Sequence, residues 1–194
     1  LVARGGDACP PELIGKTLSQ IAKDRGETCA RALITLSLEN GLDVAFLAAN
    51  AGHEKTERIG AMLAHPLMHI GASDGGAHLS SFSTYGDTGY LFSEFVRKAG
   101  ALTLEQAVRK ITAETAEIWG LKDRGRLAPG LAADVVVFDA DTIDRDDEVP
   151  AFDMPGEGMR YVRAAKGVET VLVNGEVAYA EGQYTQAKAG VVCV

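Results

Sequence analysis

The residues with the clearest chemical potential lie in the stretch MHIGASDGGAHL at 68–79. An apolar run ends in Asp74, two glycines follow at once, and His78 stands four positions after the acid. Read as a strand, the alternation puts Met68, Ile70, Ala72 and Asp74 on one face and His69, Gly71 and Ser73 on the other. An acid where a strand gives way to a loop sits where α/β barrels carry their catalytic groups. Gly75 and Gly76 leave the backbone free to turn sharply or to approach a ligand closely. Asp74 therefore has two readings, a functional acid at the mouth of a site or the cap of the next turn. With Asp74 facing the mouth, His69 points outward, toward covering helices.

The other residues able to bind metal or attack a substrate are scattered. His65 and His69 have the four-residue spacing of helical metal ligands, but Pro66 lies between them and His69 falls in the strand. His53, in the loop after the apolar run Val44–Ala49, lies near the same edge as Asp74 and is a candidate substrate contact. His78, in a glycine-flanked loop, is the stronger one. The chain has no His-x-His, no serine nucleophile elbow and no phosphate-cradling glycine loop. Cys9, Cys29 and Cys193 lie far apart without a metal-knuckle spacing, as reduced thiols of an intracellular protein do. Asp141, Asp144, Asp146, Asp147 and Glu148 invite a calcium reading. Arg145 interrupts the run and no glycine supplies the bend, so a solvated loop is expected.

Composition bounds the elements that must position these groups. The chain has 194 residues, a net charge of −8 and 46% apolar residues, enough for a sizeable core. The acidic balance argues against a nucleic-acid surface. No apolar tract is long enough to span a membrane, and no signal-peptide pattern opens the chain. Leu1 stands where an initiator methionine would, as in a processed piece of a longer polypeptide.

Residues 1–11 read as a tether. An amphipathic helix is expected from about Glu12 to Lys23, stopped by Gly26, and Thr28 caps a second helix ending before Gly41. Val44–Ala49 has the continuous apolar character of a doubly covered strand. A helix over Glu57–Ala64 follows, ended by His65-Pro66. With Leu67–Ser73 as the next strand, the order predicts a parallel βαβ unit. Beyond the polar loop Ser80–Thr88, which carries Tyr85, a helix is expected over Gly89–Lys98. Thr103 and Gln106 form a capping box opening a helix whose stripe Leu104, Ala107, Val108, Ile111, Thr115, Ile118 and Trp119 places Trp119 in the core. From Lys122 the character turns to strands, with Val135–Phe138 β-branched and Asn174-Gly175 as the primed turn of a hairpin. The fold class is therefore α/β, with 12–121 built of βα units and 122–194 a small all-β module.

Three motifs in one order carry a resemblance: AHPLMHIGASDG at 64–75, ALTLEQAVRKITAETAEIWGLKDRGRLAPGLAADVVVFDADTI at 101–143, and VLVNGEVAYAEG at 171–182. Together they resemble the C-terminal part of the amidohydrolase superfamily, and within it the N-acyl-D-amino-acid deacylase (D-aminoacylase) branch. The resemblance implies a (β/α)8 TIM-type metal-dependent hydrolase barrel with a flanking β-sandwich, and zinc-dependent cleavage of an amide bond. Val44–Ala49 would be the seventh barrel strand and Leu67–Ser73 the eighth. Asp74 would be the proton shuttle and a contact to the metal. His78, Gly75, Gly76, His53 and Tyr85 would line the substrate.

The remaining metal ligands of that family would lie upstream of Leu1. A closed barrel needs about 200 residues or more, which the part before Lys122 does not supply. The resemblance thus implies an incomplete C-terminal fragment. Zinc is expected for the complete enzyme and not for this chain alone. The implied partners are a small-molecule amide substrate, the missing N-terminal part and further copies in a homo-oligomer, in the cytoplasm. The segment after Asp74 lacks the arginines and prolines of a D-aminoacylase. A cyclic-amide hydrolase or deaminase of the same superfamily therefore stays open, as does a non-catalytic assembly module.

Overall fold

The computed structural model describes residues 1–6, 8–48, 55–71, 73, 75–77, 79–81, 83 and 85–193. The chain forms two compact units, Leu1–Glu54 and Lys55–Val194. The change of character at Lys122 thus falls inside the second unit rather than between the two.

In the first unit, strand β1 (Val2–Gly5) pairs antiparallel with β2 (Val44–Phe46), with Val2 opposite Phe46 and Gly5 opposite Val44. Helix α1 (Leu18–Arg25) and helix α2 (Cys29–Glu39) follow β1. Helix α1 starts later than its apolar pattern because Thr17 and Gln20 form a capping box. The Gln20 amide donates to Thr17 Oγ1 at 3.1 Å, and the Thr17 amide donates to Gln20 Oε1 at 2.9 Å. A 3-10 turn, Pro11–Leu13, takes up the residues before it. Gly26 ends α1 in the left-handed region, and Thr28 caps α2 by accepting from the Arg31 amide. Val2, Cys9, Ile21 and Leu36 are buried together, with Leu13, Leu18, Val44 and Phe46 packed on them.

Two expectations are corrected here. Residues 1–11 are not a tether, because Val2 and Cys9 are core residues and β1 carries a ladder. Among the described residues the ladder partner of the apolar run at Val44 is β1, in antiparallel pairing, where the sequence predicted a parallel βαβ unit.

The second unit opens with α3 (Thr56–Ala64), which ends at His65 in extended geometry before Pro66, as the proline rule requires. Helix α4 (Asp87–Tyr90) runs into a π-helix, Leu91–Lys98. Helices α5 (Leu104–Ile111) and α6 (Ala113–Ile118) follow. The Thr103–Gln106 capping box opens α5.

The expected single helix through Trp119 breaks at Thr112, where φ is −124° and ψ is −90°. Thr112 Oγ1 donates to the Val108 carbonyl at 2.7 Å and Thr115 Oγ1 to the Lys110 carbonyl at 2.8 Å. Both hydroxyls take carbonyls near the break, competing with the regular ladder. The break parts the stripe. Ala107 and Ala116 are buried, while Trp119, expected in the core, is 77% exposed.

The strands β3 (Val135–Phe138), β8 (Val168–Val173), β9 (Glu176–Ala180) and β10 (Gln183–Tyr184) form one antiparallel sheet in the order β10-β9-β8-β3. Asn174 and Gly175 join β8 to β9 with φ of 49° and 86°. Positive φ at both positions is the primed turn that this pair of residue types adopts most readily. Two short ladders complete the unit: β4 (Asp144–Arg145) with β7 (Ala165–Lys166), and β5 (Val149–Met154) with β6 (Gly158–Val162). The acidic run is thus partly a strand, and its carboxylates meet cations. Asp146 pairs with Lys166 at 2.9 Å and Glu148 with Arg163 at 3.4 Å. Leu91, Phe92, Phe95, Leu102, Ala107 and Ile143 form the core, with Ile59, Leu63, Ile70 and Phe138 packed against it.

Candidate functional site

The candidate site grows out of the segment between α3 and α4. After His65 the chain turns, with the Met68 amide donating to the His65 carbonyl at 3.1 Å and the Leu67 amide to His65 Nδ1 at 3.2 Å. Residues 67–71 and 73 join no ladder, which differs from the expected strand Leu67–Ser73. An extended run becomes a strand only where a neighbouring strand takes its backbone groups. Here a helix takes some of them. Lys110 of α5, buried to 6% exposure, donates from Nζ to the Met68 carbonyl at 2.7 Å and the His65 carbonyl at 3.4 Å. It also reaches Glu114 Oε1 at 3.4 Å.

His69 turns toward α6, where its Nδ1 meets Glu114 Oε1 at 2.8 Å. Ile70, partly buried, packs against the apolar core. His65 and His69 are therefore engaged separately, one in its own turn and the other by a carboxylate. Glu114 is held below its ordinary pKa of 4.5, first by the hydrogen bond from His69, against the cost of burial, and then by Lys110. A carboxylate with a depressed folded pKa contributes stability above its ordinary value and loses it as pH falls through the folded value. Thermal melts between about pH 3 and pH 6 should therefore show a steeper acid-side loss for the native chain than for Glu114→Gln. Equal slopes would remove the pair from the acid response.

Further along, the Gly75 amide donates to Ser73 Oγ at 3.1 Å, and Gly76 turns the chain at φ of 98°. A Cβ built on Gly75 would stand 3.3 Å from Cδ1 of Tyr85, so the Tyr85 ring lies against this turn. The structure thus brings together Gly75 and Tyr85, two of the expected substrate-lining residues. Asp74, His78 and His53 lie outside the described residues.

The loop beyond is tied to the all-β segment. The Tyr161 amide of β6 donates to the Leu79 carbonyl at 2.8 Å, and the Ser83 amide to Glu148 Oε2 at 2.8 Å. Arg160 is held above its ordinary pKa, first by the carboxylate of Asp153 and more weakly by Tyr85. Its Nε and Nη2 donate to Asp153 at 2.7 Å each. Sequence reasoning missed both Lys110 and Glu148 as anchors. For Lys110 a signal was present: it lies three residues after Ala107 on the buried face and four before a glutamate.

Among the described residues, no group of three or more His, Cys, Asp or Glu side chains is placed to hold a metal ion. The described residues therefore do not by themselves make up a metal centre. No helix among them is long and apolar enough to cross a membrane.

The family model for the amidohydrolase family matches residues 23–179. The chain belongs to that family. One relative of this amidohydrolase-family chain is an N-acyl-D-glutamate deacylase of Alcaligenes xylosoxydans xylosoxydans. It is 51% identical over 86 residues, which are 44% of this chain and 16% of the relative. A dihydroorotase of Lactobacillus acidophilus is 32% identical over 155 residues, covering 78% of this chain and 33% of the relative. Among solved structures, a D-aminoacylase with a binuclear metal centre superposes with a TM-score of 0.58 at 27% identity. That match covers 100% of this chain and 37% of the D-aminoacylase. The chain therefore spans well under half the length of the relatives it matches.

Proposed function

We propose that the chain is the C-terminal part of a zinc-dependent amidohydrolase that cleaves the amide bond of an N-acyl-amino acid, with Asp74 as its proton shuttle. The observation that carries this reading is the family match over 23–179, which encloses Asp74 and the segment that Lys110 holds. The likeness to a deacylase and to a metal-containing D-aminoacylase supports the substrate class and the metal. In this reading residues 12–121 belong to the (β/α)8 barrel and 122–194 to its flanking sandwich. His53, His78, Gly75, Gly76 and Tyr85 face a small amide substrate. Asp74 touches the metal, whose other ligands come from an upstream part of the same polypeptide, in a cytoplasmic homo-oligomer.

A metal held by Asp74 and by ligands from the upstream part would supply an activated water, whose oxygen adds to the acyl carbon. The Asp74 carboxylate takes a proton from the water and returns it to the amide nitrogen as the C–N bond breaks, because an amine leaves poorly unless protonated. The products are a carboxylate and an amine. A second reading, opening of a cyclic amide, is favoured by the likeness to the dihydroorotase.

Zinc content by elemental analysis, with hydrolysis assayed on the same samples, tests the reading. The longer polypeptide should hold zinc and release amine from N-acyl-amino acids, while residues 1–194 alone should do neither. Stoichiometric zinc and turnover in the 194-residue chain would overturn the fragment assignment. Turnover confined to ring amides would move the function to the second reading.

A further inference from the structure

The ammonium of Lys110 has three N–H donors and three acceptors: the Met68 carbonyl at 2.7 Å, the His65 carbonyl at 3.4 Å and Glu114 Oε1 at 3.4 Å. Glu114 Oε1 in turn meets Nδ1 of His69 at 2.8 Å. One lysine–glutamate pair on α5 and α6 thus holds both the main chain and a side chain of the segment 65–69, and the partly buried Ile70 packs against the core directly after it. Replacing a buried ion pair with apolar residues is often neutral or stabilising, so such a pair is weak evidence for stability and better evidence for fixing one arrangement. Asp74 stands four positions after Ile70, a span of at most about 14 Å when extended. A shift in the held segment would be passed on to the acid.

We propose that Lys110 and Glu114 are positioning residues for Asp74, a clamp from the last helices of this part of the chain onto the segment that carries the acid. The inference rests on the reading of Asp74 as the proton shuttle. A misplacement of about 1 Å at a reacting group can lower turnover about a hundredfold. The clamp should therefore act on kcat and leave substrate binding nearly untouched.

The test is made in the complete enzyme, with Lys110→Met, Lys110→Arg, Glu114→Gln and Asp74→Asn compared side by side. Lys110→Met keeps the length and loses the donors. It should lower kcat roughly 10- to 100-fold with KM changed less than about twofold. Lys110→Arg should recover part of the loss, since it restores charge and donors. Amide hydrogen exchange should quicken at 68–71 in Lys110→Met and stay unchanged in the β3–β8–β9 sheet. If Asp74→Asn abolishes turnover while Lys110→Met keeps the native kcat, the clamp is overturned and the role of Asp74 survives. If Asp74→Asn turns over normally, the reading of Asp74 fails and the clamp fails with it. Should Lys110→Met not fold, Glu114→Gln carries the decision: a fall in kcat at constant KM supports the clamp, and native kinetics overturn it.

Discussion

Asp74→Asn in the complete enzyme should lower kcat about a thousandfold, within the range that a positioned general acid or base contributes. The carboxamide matches the carboxylate in size but neither takes a proton from water nor returns one to a departing nitrogen. If the acid also touches the metal, zinc content should fall with kcat, and measuring both separates the two roles. Loss of turnover at full zinc content assigns the proton transfer. Loss of both together places the carboxylate on the metal as well. Native kcat at native zinc content would remove Asp74 from the mechanism.

Phe92→Ala should be the most damaging core truncation in the second unit. Phe92 is buried in the cluster with Leu91, Phe95 and Leu102, and its ring lies 5.2 Å from that of Phe138 at 35°. It therefore couples the π-helix to strand β3. Removing a buried phenyl ring costs about 3–5 kcal/mol, the lost transfer energy plus the cavity left behind. For a chain of this size that is roughly 6–20 °C in melting temperature. Phe92→Leu, which fills most of the space, should cost less than about 2 kcal/mol. Similar losses for the two variants, measured by thermal or urea unfolding, would show that the ring contact is not what couples helix and strand.

What was legible in the sequence was short-range. The box at Thr103, the cap at Thr28, the stop at His65-Pro66 and the Asn174-Gly175 turn each join residues a few positions apart. Their chemistry is complete within the motif. The illegible features depend on distant partners. Strand β1 exists because Val44–Phe46, some forty residues on, supplies its ladder. The run Leu67–Ser73 has strand-like composition, yet the described part of it is held by Lys110 and Glu114. Periodicity placed Trp119 on the apolar stripe but carried no sign of the break at Thr112. For the candidate site, the family resemblance implied substrate-lining roles for Gly75 and Tyr85, and the structure sets these two side by side. The anchoring of the following loop by Glu148 and Tyr161 joins segments more than sixty residues apart, and no local pattern encodes it.

The π-helix Leu91–Lys98 has a consequence for what lengths the chain tolerates. Its wide turns, closed by the Ala99 amide on the Glu94 carbonyl at 2.8 Å, hold more residues per turn than an α-helix would. Arg97 near its end donates to the carbonyls of Ala140 and Ile143 at 3.2 and 3.0 Å. Each residue of an α-helix advances about 100° around its axis. Deleting a single residue between Leu91 and Arg97 would let the segment relax to an α-helix that keeps Arg97 facing both carbonyls, because fewer residues that each turn further cover about the same angle. The segment should therefore accept the loss of one residue more readily than the truncation of its buried Leu91, Phe92 or Phe95.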